Sequence, residues 1–269
     1  MKVLELFCGT KSISNAFKER GHEVYTVDWE KSFEPTLCAD IGNLTAEQVK
    51  ELCGGIPEVI WASPDCTSYS VAAIGHHRKL EPNGNLKAVT DYAKECDKIN
   101  THLIALINEL NPTYWFIENP RGALRKMDFM KGLPLYTVTY CQYGDTRQKP
   151  TDIWTNHPNP KFKPPCKAGA PCHVAAPRGS KTGTQGIKGS KDRARIPKAL
   201  CEHIVDICES VVKAGMTIAI DGKEYEVFLC DRQAACKNSR YCGKECRLTI
   251  DKKHAVLYEQ INLFDEVKV

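Results

Sequence analysis

An α/β fold, with a parallel sheet covered by helices on both faces, is what this sequence predicts, and three observations predict it. Short apolar segments of strand length alternate with amphipathic segments of helix length. Helix start and stop signals such as Thr45, Gly21 and Gly54-Gly55 separate them. Four of the apolar segments in succession end in a chemically special residue: Gly9, Asp28, Cys66 and Glu118. In open parallel sheets ligands lie outside the carboxyl ends of the strands, so four such endings point to one site.

The elements follow in order. Val3 to Phe7 reads as a first strand, and Ser12 to Arg20 as a helix with Ile13, Ala16 and Phe17 on one face. Glu23 to Val27 is a second strand, ending in Asp28-Trp29. Thr45 starts a helix to about Cys53, with Glu47 as its expected capping-box partner. Val59 to Ala62 is a strand running into Ser63-Pro64-Asp65-Cys66. Val71 to Gly84 reads as a mobile loop whose His76-His77-Arg78-Lys79 run offers phosphate contacts, with a solvated charged loop as the alternative. A long helix covers about Thr90 to Leu110, with Ile99, Leu103, Leu106, Ile107 and Leu110 as its buried stripe. Strands are expected at Tyr114 to Ile117, Leu135 to Tyr140 and Asp152 to Thr155, a helix at Ile196 to Lys213, and a hairpin around Asp221-Gly222.

The bulk properties narrow the class. The 269 residues are 42% hydrophobic and 26% charged, ordinary for a globular chain. No apolar run approaches the ~20 residues of a membrane span. The opening Met1-Lys2-Val3-Leu4-Glu5-Leu6 carries an acid and no cleavage site, so a strand is expected there rather than a signal peptide, and a cytoplasmic location follows. Net charge is +4 but unevenly placed: His157 to Lys198 holds ten Lys/Arg against one acid, Asp192. That segment suits a polyanionic partner, or else forms a solvated loop.

Of the 14 cysteines, those at 8, 38, 53, 96, 141, 201 and 208 stand in apolar or helical contexts and are expected to be small buried hydrophobes. Cys166 and Cys172-His173, in the basic segment, offer three soft ligands to a metal. Cys230, Cys236, Cys242 and Cys246, with His254 beyond, offer the four that tetrahedral zinc needs, although the spacing is not the common Cys-x2-Cys knuckle; unligated or redox-active thiols are the alternative.

The ordered set of motifs resembles the DNA cytosine-C5 methyltransferases. Leu4-Glu5-Leu6-Phe7-Cys8-Gly9 is similar to the family's opening cofactor motif, Val27-Asp28-Trp29 to the second, and Asp40-Ile41 to the third. Ser63-Pro64-Asp65-Cys66 stands where the family has its Pro-Cys nucleophile, and Glu118-Asn119 matches its Glu-Asn pair. Tyr143-Gly144 with Arg147, Lys149 and Pro150 resembles its basic motif. Arg193-Ala194-Arg195-Ile196-Pro197 resembles the segment closing the target-recognition region. The resemblance covers roughly residues 1 to 212. Departures are Thr10-Lys11-Ser12 in place of further glycine, Asp65 in place of Pro, Pro120 after the Glu-Asn pair, and a basic motif whose register is open between Arg147 and Lys149.

The resemblance implies a class I Rossmann-like fold that binds S-adenosylmethionine through Phe7, Gly9, Asp28, Trp29, Asp40, Ile41 and Pro64. Its implied divisions are a catalytic core at 1–156, a short basic recognition insert at 157–190, a returning helix at 191–214 and a Cys-rich module at 215–269. It resembles divergent phage or bacterial members of the family. The implied partner is DNA, ahead of RNA, and the chain is expected as a monomer. Cytosine C5 is a poor nucleophile until a thiolate adds at C6, the role implied for Cys66. Charge on the ring is offset at N3 by an acid of raised pKa, the role implied for Glu118, with Lys149 or Arg147 favouring the thiolate. The target base must be flipped out or already unpaired. Three rivals remain: the same fold acting on RNA or with an unusual donor, a non-catalytic nucleic-acid-binding protein, and a Cys-rich tail that governs function as a metal-dependent interaction module.

Overall fold

The computed structural model describes residues 1–209, apart from 83, 159 and 175–188, and four strand segments beyond them. The chain divides into two compact units, Met1–Cys208 and Glu209–Val269.

The first unit is built on a seven-stranded sheet. Its strands are β1 (Lys2–Leu6), β2 (Glu23–Asp28), β3 (Leu37–Cys38), β4 (Val59–Ala62), β7 (Tyr114–Pro120), β8 (Leu135–Thr139) and β9 (Pro150–Thr155), and β5 (Arg78–Leu80) and β6 (Leu86–Ala88) form a separate hairpin. The order across the sheet is β3-β2-β1-β4-β7-β9-β8. The five strands from β3 to β7 pair in parallel, whereas β9 runs antiparallel to both β7 and β8. The sequence predicts only parallel strands. The difference arises because Tyr140–Tyr143 is a short 3-10 turn that returns the chain directly from β8 to β9, with no crossover helix.

The central strands are buried throughout: Val3, Leu4, Leu6, Val59, Ile60, Trp61 and Ala62 are sealed from solvent. Such continuous apolar runs are what a sheet covered on both faces requires. Six helices accompany them in the described residues: α1 (Ser12–Glu19), α2 (Ala46–Cys53), the single turn α3 (Ile74–His77), α4 (Asp91–Leu110), α5 (Ser190–Ala194) and α6 (Lys198–Glu209).

Helix α2 starts at a capping box, with Thr45 Oγ1 accepting from the Gln48 amide and Gln48 Oε1 accepting from the Thr45 amide. The partner is Gln48, not Glu47, because only the third helical residue reaches back to the N-cap. Thr90 caps α4, which buries Ala93, Cys96, Asn100, Leu103, Leu106, Ile107 and Leu110. Ile99, expected in that stripe, is half-buried. Helix α6 returns to the core, where Leu200, Ile204 and Val205 are sealed and the His157 ring contacts the Ile207 carbonyl.

Cys8, Cys53, Cys96, Cys141, Cys201 and Cys208 are buried as expected; Cys38 is exposed. No helix among the described residues is long and apolar enough to cross a membrane. In the second unit, Thr217–Ile220 pairs antiparallel with Lys223–Glu226, as the hairpin expectation required, and Phe228–Leu229 pairs with Leu248–Thr249. Cys230, Cys236, Cys242, Cys246 and His254 lie outside the described residues.

Candidate active site

From β1 the chain runs outward through β2 to β3, then returns to place β4 on the other side of β1. This reversal is the switch point at which a doubly wound sheet opens a crevice. Every sequence-predicted residue of the first unit's site lies at or just beyond the carboxyl ends that border it.

Beyond β1 the backbone turns sharply. Phe7, Gly9 and Lys11 all take left-handed conformations, with φ of 55°, 43° and 55°. Only Gly9 does so without a steric cost of about 1 kcal/mol or more. The Gly9 amide donates to Asp28 Oδ2 at 3.0 Å, joining the ends of β1 and β2. Asp28 is buried, and its Oδ1 accepts from the Glu30 amide at 2.9 Å. Next to it Trp29 is 69% exposed, its carbonyl accepting from the Cys38 thiol. Asp40 caps the single turn Ile41–Asn43 by accepting from the Gly42 amide and the Asn43 side chain, while Ile41 is sealed in the core.

Beyond β4, Pro64 is buried and Cys66 is half-buried at the start of a 3-10 turn, Thr67–Tyr69. Asp65 shapes this turn: its Oδ1 accepts from the Thr67 amide and from the Tyr92 hydroxyl of α4, each at 2.7 Å. In the next strand Ala62 pairs with Ile117, so Glu118 and Asn119 rise beside the nucleophile turn. Glu118 is buried and accepts from the Tyr140 hydroxyl at 3.1 Å. Asn119 Nδ2 donates to the Pro64 carbonyl at 2.9 Å. The turn after β7 then passes so close to Thr67–Tyr69 that a Cβ on Gly122 would lie 2.5 Å from the Tyr69 carbonyl oxygen.

The two basic residues differ sharply in use. Arg147 is buried, and its donors reach Asp145 and the carbonyls of Asp192, Arg193 and Arg195. It ties the basic motif to the segment ahead of α6. Lys149 is also buried, donates to the Arg193 carbonyl at 3.0 Å, and sits 4.5 Å over the Tyr140 ring.

The electrostatics join these groups. Burial pushes the Cys66 thiol up to about 11, Asp65 and Glu118 push the same way, and Lys149 opposes them. Burial pulls the Lys149 ammonium below its usual range, against the attraction of Glu118 and Cys66. Cys66 thus feels the charges of Asp65, Glu118 and Lys149, with Lys149 alone favouring the thiolate among them.

Arg78, expected on a mobile phosphate-binding loop, is instead buried. It makes a two-pronged contact with Asp97 at 2.6 and 3.0 Å, donates to Ser68, and lies 4.3 Å over the Tyr69 ring. The loop is a short helix, α3, and the hairpin β5–β6, fastened beneath the nucleophile turn. A guanidinium with a carboxylate, a carbonyl and an aromatic face within reach is satisfied inside the protein.

Sequence reasoning passed over Tyr140, Asp145, Asn119 and Tyr92 as site residues. Asn119 was visible as half of the Glu-Asn pair. Asp145 pairs with Arg147 two residues on, a local Asp-x-Arg spacing, whereas Tyr140 and Tyr92 carry no local signal because their roles arise from contacts between separate elements.

The sheet order and its switch point define a Rossmann-like α/β protein with its crevice over β1 and β4. Residues 1–131 match the family model of C-5 cytosine-specific DNA methylase. Among solved structures the chain is similar to a prophage-encoded DNA modification methyltransferase of E. coli, with 16% identity and a TM-score of 0.42 over 58% of this chain and 46% of that one. It is similar to the S. pombe Dnmt2 methyltransferase at 14% identity and TM-score 0.42, covering 58% of this chain and 50% of that one. It is also similar to the Entamoeba histolytica methyltransferase EhMeth at 15% identity and TM-score 0.43, covering 58% and 52%. The chain therefore spans about half the length of the structures it matches. No curated protein matches it.

Proposed function

We propose that this protein transfers a methyl group from S-adenosylmethionine to C5 of cytosine in DNA, through a covalent bond between Cys66 and C6. The observation that carries the proposal is the placing of Cys66 and Glu118 on adjacent strand ends joined by the Asn119–Pro64 bond, with Tyr140 linking Glu118 to Lys149. The family match over residues 1–131 supports the same reading.

The crevice fits the donor's chemistry. A buried carboxylate at Asp28, an uncovered indole at Trp29 and the glycine backbone at Gly9 stand together at the ends of β1 and β2. They suit ribose hydroxyls, an adenine face and a chain needing close backbone approach. Phe7, Asp40, Ile41 and Pro64 complete this side. When bound, S-adenosylmethionine supplies an electrophilic methyl group.

The remaining chemistry belongs to side chains of this protein. The Cys66 thiolate adds to C6 of the flipped base, and the ring electrons move toward N3 and C5. Glu118 holds a proton at N3, where Tyr140 orients its carboxyl group. A proton on Glu118 also removes one of the two carboxylate charges that raise the Cys66 pKa, so the same event favours the thiolate. Lys149 adds positive charge beside both. After C5 has taken the methyl group, loss of the C5 proton re-forms the double bond and expels the Cys66 thiolate. Arg147 acts by position, holding the segment that Lys149 also contacts.

Incubation with DNA containing 5-fluorocytosine tests this reading, because fluorine at C5 blocks the final elimination. A covalent complex is expected with the native chain and none with Cys66→Ser. Failure to trap DNA, with 5-methylcytosine still formed, would remove Cys66 from the mechanism. Mass spectrometry of DNA and RNA incubated in parallel identifies the substrate; methylated RNA with unmodified DNA would overturn the assignment to DNA.

A further inference from the structure

Away from the crevice, the basic insert folds back on the turn between β8 and β9 and brings four soft ligands together. Cys141 comes from that turn; Cys166, Cys172 and His173 come from the insert. Their ligand atoms all lie within 4.8 Å of one another. His173 Nδ1 is 3.6 Å from both Cys166 Sγ and Cys172 Sγ.

We propose that Cys141, Cys166, Cys172 and His173 bind one tetrahedral zinc ion that fastens the basic insert to the turn carrying Tyr140. Zinc bonds to sulfur at ~2.3 Å and to imidazole nitrogen at ~2.0–2.1 Å, which in a tetrahedron separates sulfur from nitrogen by about 3.6 Å and sulfur from sulfur by about 3.8 Å. Two of the three sulfur–nitrogen separations, those to Cys166 and Cys172, already have the required value. The Cys141 and Cys166 sulfurs, at 3.0 Å, open by under 1 Å to admit the ion.

The surroundings are those of a built site. Gln148 Nε2 lies 3.5 Å from Cys166 Sγ, and Gln142 Nε2 lies 3.6 Å from Cys172 Sγ, so amide donors face the sulfurs that would carry negative charge. The backbone is held in place independently. The Cys166 amide donates to Thr139 Oγ1, the Lys163 amide to the Tyr143 hydroxyl, and the Val174 amide to the Thr146 carbonyl, each at 2.9 Å. Four ligands from two segments, one buried and one fully exposed, converge on a point that a disulfide between Cys141 and Cys166 would leave half explained.

The position gives the site its purpose. Cys141 follows Tyr140, whose hydroxyl donates to Glu118 and whose ring lies under Lys149. A bound ion would tie the basic segment around Cys166 and Cys172 to the turn beside Glu118.

The test is the zinc content of the full-length chain, purified under reducing conditions with zinc supplied, measured by elemental mass spectrometry and read as a difference between variants. Cys166→Ser and Cys172→Ser are each expected to lose one equivalent relative to the native chain, and the exposed-thiol control Cys38→Ser none. Cys172 is exposed, so its variant is expected to fold. His173→Cys is expected to retain the ion. Cobalt substitution is expected to produce sulfur-to-cobalt charge-transfer absorption that weakens in Cys172→Ser. An unchanged metal content in both insert variants, or peptide mapping that finds Cys141 and Cys166 joined with no metal lost on reduction, would overturn the site.

Discussion

Asn119 reaches across from β7 and donates through Nδ2 to the carbonyl of Pro64, fixing the turn that presents Cys66 relative to the strand that presents Glu118. Thiol and acid are thereby held on one frame. Asn119→Ala removes the bond and is expected to cost about 1–2 kcal/mol of stability. Its larger expected effect is on catalysis, with the rate of covalent trapping on 5-fluorocytosine DNA falling at least tenfold while DNA binding changes little. Equal loss of binding and trapping would show that the bond serves the fold alone.

Asp65 stands one residue before Cys66, and its charge raises the Cys66 pKa further than burial alone. Asp65→Asn keeps an acceptor for the Thr67 amide and removes the charge. The Cys66 thiol should then titrate below about 11. The pH dependence of alkylation by iodoacetamide, followed at Cys66 by mass spectrometry, checks this. A midpoint that stays put or rises would contradict the electrostatic role of Asp65.

Glu5 lies buried on β1 and accepts from the Ser14 amide, and burial pushes its pKa from an ordinary 4.5 up to about 7. Between these values the folded chain binds more protons than the unfolded one. Stability from this group is therefore complete below about pH 4.5 and lost as the pH rises through about 7, by on the order of 3 kcal/mol. Glu5→Gln should flatten the slope of urea-unfolding free energy against pH over that window. A variant with the native slope would rule Glu5 out as its source.

Arg147 and Lys149 should separate cleanly by substitution. Arg147→Ala leaves Asp145 without its ion-pair partner and takes a donor from the carbonyls of Asp192, Arg193 and Arg195, of which only that of Arg193 keeps Lys149, and should destabilise the fold by about 3–5 kcal/mol. Lys149→Met removes the charge beside the thiol and should raise the Cys66 pKa, lowering trapping more than melting temperature. The reverse pattern would exchange their roles.

The pair of buried Arg78 and half-buried Asp97 makes a further prediction. Asp97→Ala strands a guanidinium inside the protein and should cost about 3–5 kcal/mol in chemical unfolding. In the conditions where it stays folded, the salt dependence of DNA binding should match that of the native chain. A steeper dependence would show that the released Arg78 guanidinium reaches phosphate.

Local chemistry alone determined much of this protein. Strand-length apolar runs, the Thr45 and Thr90 caps, and the residues at the strand ends are short-range patterns, and they were legible because a few neighbouring side chains decide them. Cys66 and Glu118 could be named because each follows a short apolar run in a motif that resembles the family's, although Glu118 lies within β7 and Cys66 four residues beyond β4. Tertiary structure alone decided which of Arg147 and Lys149 faces the thiol, that Arg78 turns inward, that β9 runs antiparallel, and that Cys141 meets Cys166, Cys172 and His173. Each of these depends on groups far apart in the chain becoming neighbours. A buried charge or thiol takes its properties from those neighbours, which no local stretch of sequence contains.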